Sequence, residues 1–531
     1  MVEPLRLVRR LTLAVLVVLS AACAPKATPA TPATPATPAT QAAPSAVAPD
    51  VPPDALFAVP STVVTATILQ MNDVYEIMPL GGSGLGGLAR VATIVKDLER
   101  DDPNTFVVLA GDLLSPSAMT SARAASDGGA LNGQHMVDIM NHVGLDVAVL
   151  GNHEFDLREA DFAKRISESR FQWLGANAAA ADGTPFPGVR PNIVLTATNP
   201  AGHSFRLGIF GVLIDSNRAS YVSYTDAFDT ARAQVAAVSA SADAVLALTH
   251  LALADDEWMA ESVSGIALIM GGHEHQNIAA HRGPRFTPIT KADSNAKSVY
   301  VHQLSYDTAT SDLYVHSDLV EVNDSIEEDP DVAAIVREWR DRAFAAFRKD
   351  GMDPDAPVTT LTEALDGRES AIRYGSTNMT DAIANAMMAA FSGAQASFFN
   401  SGSIRIDDTL GPGPITQYDV LRVLPYKGDL RLTRVKGDVL TRILDAGRAD
   451  AMRGQGGWLQ YAGLARTDSG TWTIGGAPID PAASYQVVIN DYLLGGNERG
   501  LEWIAPASSG IEILPPPAKD MRVAVIEFLS R

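Results

Sequence analysis

Five apolar runs between residues 63 and 275 each end in residue types that bind divalent metals. Ile68-Leu69 leads to Asn72-Asp73, and Val107-Val108-Leu109 leads to Gly111-Asp112. Val149-Leu150 leads to Gly151-Asn152-His153-Glu154-Phe155-Asp156. Leu246-Ala247-Leu248 leads to Thr249-His250, and Ile269-Met270 to Gly271-Gly272-His273-Glu274-His275. Four of the ten histidines fall in this set. Two divalent ions about 3.5–4 Å apart require carboxylates and imidazoles on a rigid scaffold, with one carboxylate free to bridge. Such a pair generates hydroxide from water and neutralises a phosphoryl group during in-line attack. A single strand-end aspartate is usually a helix cap. Five motifs in order, each behind an apolar run, outweigh that reading.

Strands must carry these residues to one edge. Short apolar runs at 63–69, 106–110, 147–150, 207–213, 245–248 and 266–270 alternate with residues at helical spacing, such as Leu88, Val91, Ile94, Val95 and Leu98. This alternation predicts a layered α/β domain with its site beyond the carboxyl ends of the strands. Residues 298–322 read as a hairpin closing the domain, which spans 63–324. A charged helical connector follows at 325–355, and 356–531 mixes helices and strands in a second domain. Glycines at 82–87 have dinucleotide-motif spacing, but the strand before them is too distant for the tight turn such a site needs. His135, His142, His203, His281, His302 and His316 lack strand-end partners and take surface or packing roles.

Composition narrows the function class. The chain has 531 residues, enough for more than one core, and a net charge of −21 with no basic run, which disfavours nucleic-acid binding. Its one cysteine excludes an intrachain disulfide and a cysteine-based zinc site. Residues 1–22 read as an export signal, with Arg6, Arg9 and Arg10 ahead of a short apolar run. Cys23 follows, and this segment resembles a bacterial lipoprotein signal, which implies an acylated cysteine. The Ala/Pro/Thr-rich stretch that completes 23–62 reads as a tether. The expected location is the cell envelope, lipid-anchored and facing the periplasm or exterior.

The motifs resemble those of the calcineurin-like metallophosphatases, and more narrowly the bacterial 5′-nucleotidase/UDP-sugar hydrolase family. The resemblance runs from about residue 64 to 531 and implies a four-layer α/β/β/α sandwich followed by a smaller α+β substrate-binding domain. It implies two divalent metals (Mn, Zn, Co or Fe), Asp73 and His275 holding one, Asn152, His250 and His273 the other, and Asp112 bridging. His153, oriented by Asp156, would contact the reacting phosphate, while Glu154 and Phe155 would serve packing and loop geometry. The family has histidine two residues after the first aspartate, where this chain has Tyr75. A phenolate binding a ferric ion and a ring filling space are the two readings; space-filling is the expectation.

In the second domain, Phe399-Asn400-Ser401-Gly402-Ser403-Ile404-Arg405 resembles the family's substrate loop, which implies substrate contacts for Asn400 and Arg405. Arg373 matches the family's other substrate arginine, and Tyr426 the aromatic face on which a base stacks. The second aromatic is expected after Gly495-Gly496, where the chain offers only Trp503. The resemblance implies a nucleotide phosphoesterase acting by direct attack of metal-bound hydroxide. The alternatives are a sugar- or glycerate-phosphate phosphatase, a cyclic phosphodiesterase, and a lipid-tethered binding protein with a degraded metal site.

Overall fold

Strand Val63–Met71 is buried along both faces, and its alternation decides where each face goes. Val64, Ala66 and Ile68 pack into a core shared with Leu246, Leu248 and Leu268 of a second sheet. Leu69 and Met71 turn the other way, into a cluster built by helices. A strand covered on both sides reads as a nearly continuous apolar run, which is why these strands stand out in the sequence. The computed structural model describes residues 60–81, 83–506 and 510–531. The segment read as an export signal, Cys23 and the stretch read as a tether, up to residue 59, lie outside the described residues.

The first sheet has seven strands. Val63–Met71 pairs in parallel with Thr105–Ala110, which continues in parallel to Val147–Val149, Gln172–Leu174 and Val189–Arg190. On its other side lies the antiparallel hairpin Ser298–Asp307 and Asp312–Glu321. The second sheet has six strands, with Ser204–Leu213, Ala244–His250, Ile266–Gly271 and Thr287–Lys291 parallel in its centre. Helices Leu88–Asp101, Gln134–Val143 and Pro330–Lys349 cover the first sheet. Helices Ala227–Val238 and Leu253–Ser262 cover the second, which completes four layers, α/β/β/α. The helix read as a connector buries Val336, Trp339, Phe344 and Phe347 in the outer layer, and the Trp339 indole N–H donates to Asp138 at 2.8 Å.

The second domain is built on a mixed six-stranded sheet with Ala396–Asn400, Ser484–Asn490 and Asp429–Lys436 in its middle. Phe399 faces helices Asn378–Ala389 and Met521–Leu529, while Phe398 faces helix Gly437–Gly447. A buried polar contact joins the domains: the Tyr418 hydroxyl donates to Glu76 Oε2 at 2.7 Å, and Arg422 Nε lies 3.4 Å from Glu76 Oε1. The Tyr418 ring packs 5.0 Å from that of Phe344. Among the described residues no helix is long and apolar enough to cross a membrane.

Candidate metal centre and substrate cleft

All five motifs end at one edge of the sandwich, where close approach dictates glycine. A Cβ on Gly151 would lie 2.1 Å from Asp112 Oδ1, and one on Gly272 would lie 2.1 Å from the Ala110 carbonyl oxygen. Asp73, Asp112, His273 and His275 all adopt positive φ (52°, 57°, 88° and 59°). Non-glycine residues rarely do so, and such strain persists where the surroundings impose it, often at functional sites.

Ligand atoms of Asp73, Asp112 and His250 lie within 4.8 Å of one another, all three residues buried. Each carboxylate has one oxygen tied up by the protein and one turned inward. Asp73 Oδ2 accepts from Asn72 Nδ2 (2.8 Å) and the His273 amide (2.9 Å), while its Oδ1 lies 3.2 Å from His275 Nε2. Asp112 Oδ1 accepts from the His153 amide at 2.9 Å, while its Oδ2 lies 3.2 Å from His250 Nε2. The imidazoles are oriented in the same sense. His250 Nδ1 is 2.9 Å from the Ala110 carbonyl, and His275 Nδ1 is 3.1 Å from Asp407 Oδ2 of the second domain. Each ring thus turns Nδ1 outward and Nε2 towards the cluster, and Asn152 Oδ1 sits 3.2 Å from His250 Nε2. Buried carboxylate oxygens and imidazole nitrogens thus converge on one spot, a set of groups that fits cations.

Electrostatics agrees. Burial opposes charge on His250 and His275, but neighbouring carboxylates outweigh it and push them up to about 9 and about 10. His273, 5.3 Å ring to ring from His250, is pushed down to about 4 by burial and by His250. Burial, with Asp112 and Asp73 alongside, raises the Tyr75 phenol well above its ordinary value. That hydroxyl points into the cluster, 2.9 Å from Asp112 Oδ2 and 3.1 Å from His275 Nε2.

His153 stands beside the cluster with Nδ1 2.8 Å from Asp156 Oδ2. Burial works against its charge, yet Asp156 and Asp112 outweigh burial and raise its pKa. The fully buried Glu154 accepts four backbone amides, from Gly151, Asp112, Leu113 and Leu114, and so ties two motif loops together. Behind the histidines, the buried Lys291 donates to the carbonyls of Leu251 (2.7 Å) and Gly272 (2.8 Å) and pairs with Asp256 (2.8 Å) and Glu274. Burial would lower the lysine, but Asp256 and Glu274 raise it.

A cavity of about 40 Å³ opens on Tyr75, Asp112, His153, His273, His275 and Arg405. Arg405 also lines a cleft of about 660 Å³ together with Asp156, Arg373, Asn400, Tyr426 and Tyr492. The Nε atoms of Arg373 and Arg405 are buried without a protein partner, and Glu369 pairs with Arg373 and lies 3.9 Å from Arg405. All four second-domain residues singled out in the sequence therefore line one cleft. Trp503 does not: its ring packs on the second-domain core, with the Arg442 guanidinium 3.9 Å over it. Tyr492, on helix Asp491–Leu494, is the second aromatic in the cleft. Sequence reading also misses Asn217, which donates to Asp156 Oδ1 at 2.8 Å and carries a positive φ of 48°.

The model of the calcineurin-like phosphoesterase domain matches residues 66–277, and that of the 5′-nucleotidase C-terminal domain matches 357–505. The chain belongs to the two-domain 5′-nucleotidase family. Within it, the 5′-nucleotidase of Bos taurus is 24% identical over 446 residues, covering 75% of this chain and 74% of that protein. The trifunctional nucleotide phosphoesterase YfkN of Bacillus subtilis is 24% identical over 467 residues, covering 79% of this chain and 29% of its own length. The 5′-nucleotidase precursor from Thermus thermophilus has the same fold, with a TM-score of 0.67 at 21% identity over 88% of this chain and 96% of its own.

Proposed function

We propose that this metal-dependent phosphoesterase hydrolyses nucleotides in the trough running from the Asp73–Asp112–His250 cluster into the second-domain cleft. The observation that carries the reading is the continuity of the two: Arg405 lines both the small cavity at the donor cluster and the large cleft. The small end suits a phosphoryl group. The large end, at about 660 Å³, is ample for a nucleoside. The relatives' names, 5′-nucleotidase and nucleotide phosphoesterase, support the same substrate class.

Asp73 and His275 would hold one metal, Asn152, His250 and His273 the other, with Asp112 Oδ2 shared; Mn, Zn, Co and Fe suit this oxygen and imidazole set. Bound metals supply Lewis acidity, which activates water and neutralises phosphoryl oxygens. His153, held through Nδ1 by Asp156, directs its Nε2–H at the phosphoryl group and stabilises the charge that develops there. The guanidiniums of Arg373 and Arg405, with Asn400, orient the anionic substrate, and Tyr426 and Tyr492 offer ring faces to a base. Glu369 neutralises part of the arginine charge until a phosphate ester takes its place.

The proposed domain limits are 63–324 for the metallophosphatase domain, 325–355 for the connecting helix and 356–531 for the substrate domain. The export signal, acylation at Cys23 and the tether would place this head at the envelope surface, on the periplasmic or exterior side. Two measurements test the reading. Chelated enzyme should lose nucleotide hydrolysis and regain it with manganese, zinc or cobalt; full activity with metal absent by elemental analysis overturns it. Cys23→Ser should leave the membrane fraction; unacylated wild-type protein recovered free of membrane overturns the anchor.

A further inference from the structure

One wall of the large cleft is rich in hydrogen-bond acceptors, and orienting a phosphate does not account for it. Glu498 lines this wall, half-buried, where the family resemblance puts an aromatic ring. A Cβ on Gly457 would come within 2.8 Å of Glu498 Oε1, so only glycine at 457 leaves the carboxylate its place. Glu498 Oε2 accepts from Asn400 Nδ2 at 3.1 Å. The sense of that amide is fixed, because Asn400 Oδ1 accepts from Ser403 Oγ (2.9 Å) and Asn490 Nδ2 (3.0 Å). A carboxylate has about four acceptor sites, and Asn400 and the Arg499 amide fill two of them. The second Asn400 Nδ2 proton has no partner among the described residues. Asn490 Oδ1, buried in the same wall, has none either.

We propose that this wall reads the edge of the substrate's base and selects guanine, with Glu498 as the residue that decides. The inference rests on the nucleotide reading of the proposed function and adds the identity of the base. Asn400 Nδ2, Glu498 Oε2 and Glu498 Oε1 form a row of donor, acceptor, acceptor. The edge that matches it carries an acceptor followed by two donors. Guanine has that edge, in O6, N1–H and N2–H. Adenine offers one donor and then the N1 lone pair, and cytosine one donor and then two acceptors. Uracil and thymine set their second carbonyl against Glu498 Oε1. Two parallel N–H groups on one carboxylate make a charge-assisted pair, about twice as strong as neutral hydrogen bonds. A site built to bond particular donors rejects the analogue that lacks them. Stacking on Tyr426 and Tyr492 cannot choose, since every base has a π-face, so the choice falls to the edge.

The test compares substrates that differ only in the base. Metal-loaded full-length enzyme is assayed at about pH 8, above the carboxylate range, with the 5′-monophosphates of guanosine, inosine, xanthosine and adenosine. Inosine lacks the 2-amino group, and xanthosine carries a carbonyl in its place. Wild type should favour the guanosine over the inosine substrate by about tenfold or more in kcat/KM, the loss of one hydrogen bond to a charged group. The xanthosine and adenosine substrates should fare no better than the inosine one. Glu498→Gln turns one acceptor into an N–H donor, so the row becomes donor, acceptor, donor, and the xanthosine substrate should overtake the guanosine one. A role in packing, or as counter-ion to Arg373, would move all four substrates alike. If the variant does not fold, the wild-type ratio of guanosine to inosine substrate decides alone. A wild-type ratio below about threefold, less than one such bond supplies, or a variant that slows all four equally, overturns the inference and leaves the phosphoesterase reading standing. Failure to hydrolyse any nucleotide overturns both.

Discussion

Replacing Lys291 by methionine tests whether the metal motifs are held from behind. The side chain is fully buried at the end of strand Thr287–Lys291, and methionine preserves much of its volume. Lys291→Met removes two charge-assisted hydrogen bonds, to the carbonyls of Leu251 and Gly272, and strips Asp256 of its buried counter-ion. Asp256 would keep one partner, the Thr249 hydroxyl at 2.7 Å. Breaking a buried pair from one side costs about 3–5 kcal/mol, against total stabilities of about 5–15 kcal/mol. The loss should appear as an earlier urea transition of the first domain. Leu251 follows His250 and Gly272 precedes His273, so metal occupancy at limiting zinc should fall in parallel. Adding Asp256→Asn to Lys291→Met should restore part of the stability, with a coupling of about 0.5–3 kcal/mol in a double-mutant cycle. A single-variant loss below about 1 kcal/mol, or a strictly additive cycle, would falsify the idea that this ammonium organises the motif loops.

Three further expectations concern the site and its surroundings. His153→Ala should lower kcat by about 10²–10⁴-fold with metal content unchanged by elemental analysis; lost metal would reassign His153 as a ligand. Tyr426→Ala and Tyr492→Ala should each raise KM for a nucleotide about 2–10-fold, the equivalent of about 0.5–1.5 kcal/mol of ring stacking. A small chromogenic phosphate should be indifferent to both, and equal losses for the two substrates would remove the tyrosines from base recognition. Burial pushes His302 down from 6.5 to about 3, and its ring is satisfied as a neutral tautomer by Gln70 and Ser317. The unfolded state therefore binds a proton that the folded state refuses, so stability present above pH 6.5 is lost as pH falls from 6.5 towards about 3. His302→Gln should flatten that acid slope in denaturation series, and an unchanged slope would refute the linkage.

Buried strands make the first domain legible. The run read at 63–69 is strand Val63–Met71, and that at 245–248 is Ala244–His250, because residues covered on both faces leave an unbroken apolar signal. The hairpin read at 298–322 forms as Ser298–Asp307 and Asp312–Glu321. Strand Thr287–Lys291 is not legible, since its Thr-Pro-Ile-Thr-Lys sequence looks polar until the partners of Lys291 are known. The same reason hides much of the site's support. Asp407 meets His275 across 132 residues, and Asn217 meets Asp156 across 61, separations at which periodicity carries no information. Tyr492 escapes because the family resemblance puts the second aromatic after Gly495-Gly496, whereas a short helix just ahead of them carries it. Tyr75 reads as filling space, because its position beside a motif does not reveal where its hydroxyl points.

The pairing of His275 Nδ1 with Asp407 bears on how freely the two halves of this chain can be exchanged for those of other proteins. Domain limits drawn from sequence suggest two interchangeable parts, one for chemistry and one for selection. Yet the imidazole of His275, in the first domain, takes its orientation from the Asp407 carboxylate, which the second domain provides. A chimera that brings a foreign second domain must therefore also bring an acceptor to this position, or the ring at the centre loses its fixed tautomer. Recombination of the two halves is constrained at the level of one hydrogen bond, and libraries that shuffle specificity domains onto this scaffold should keep residue 407 with the scaffold rather than with the insert.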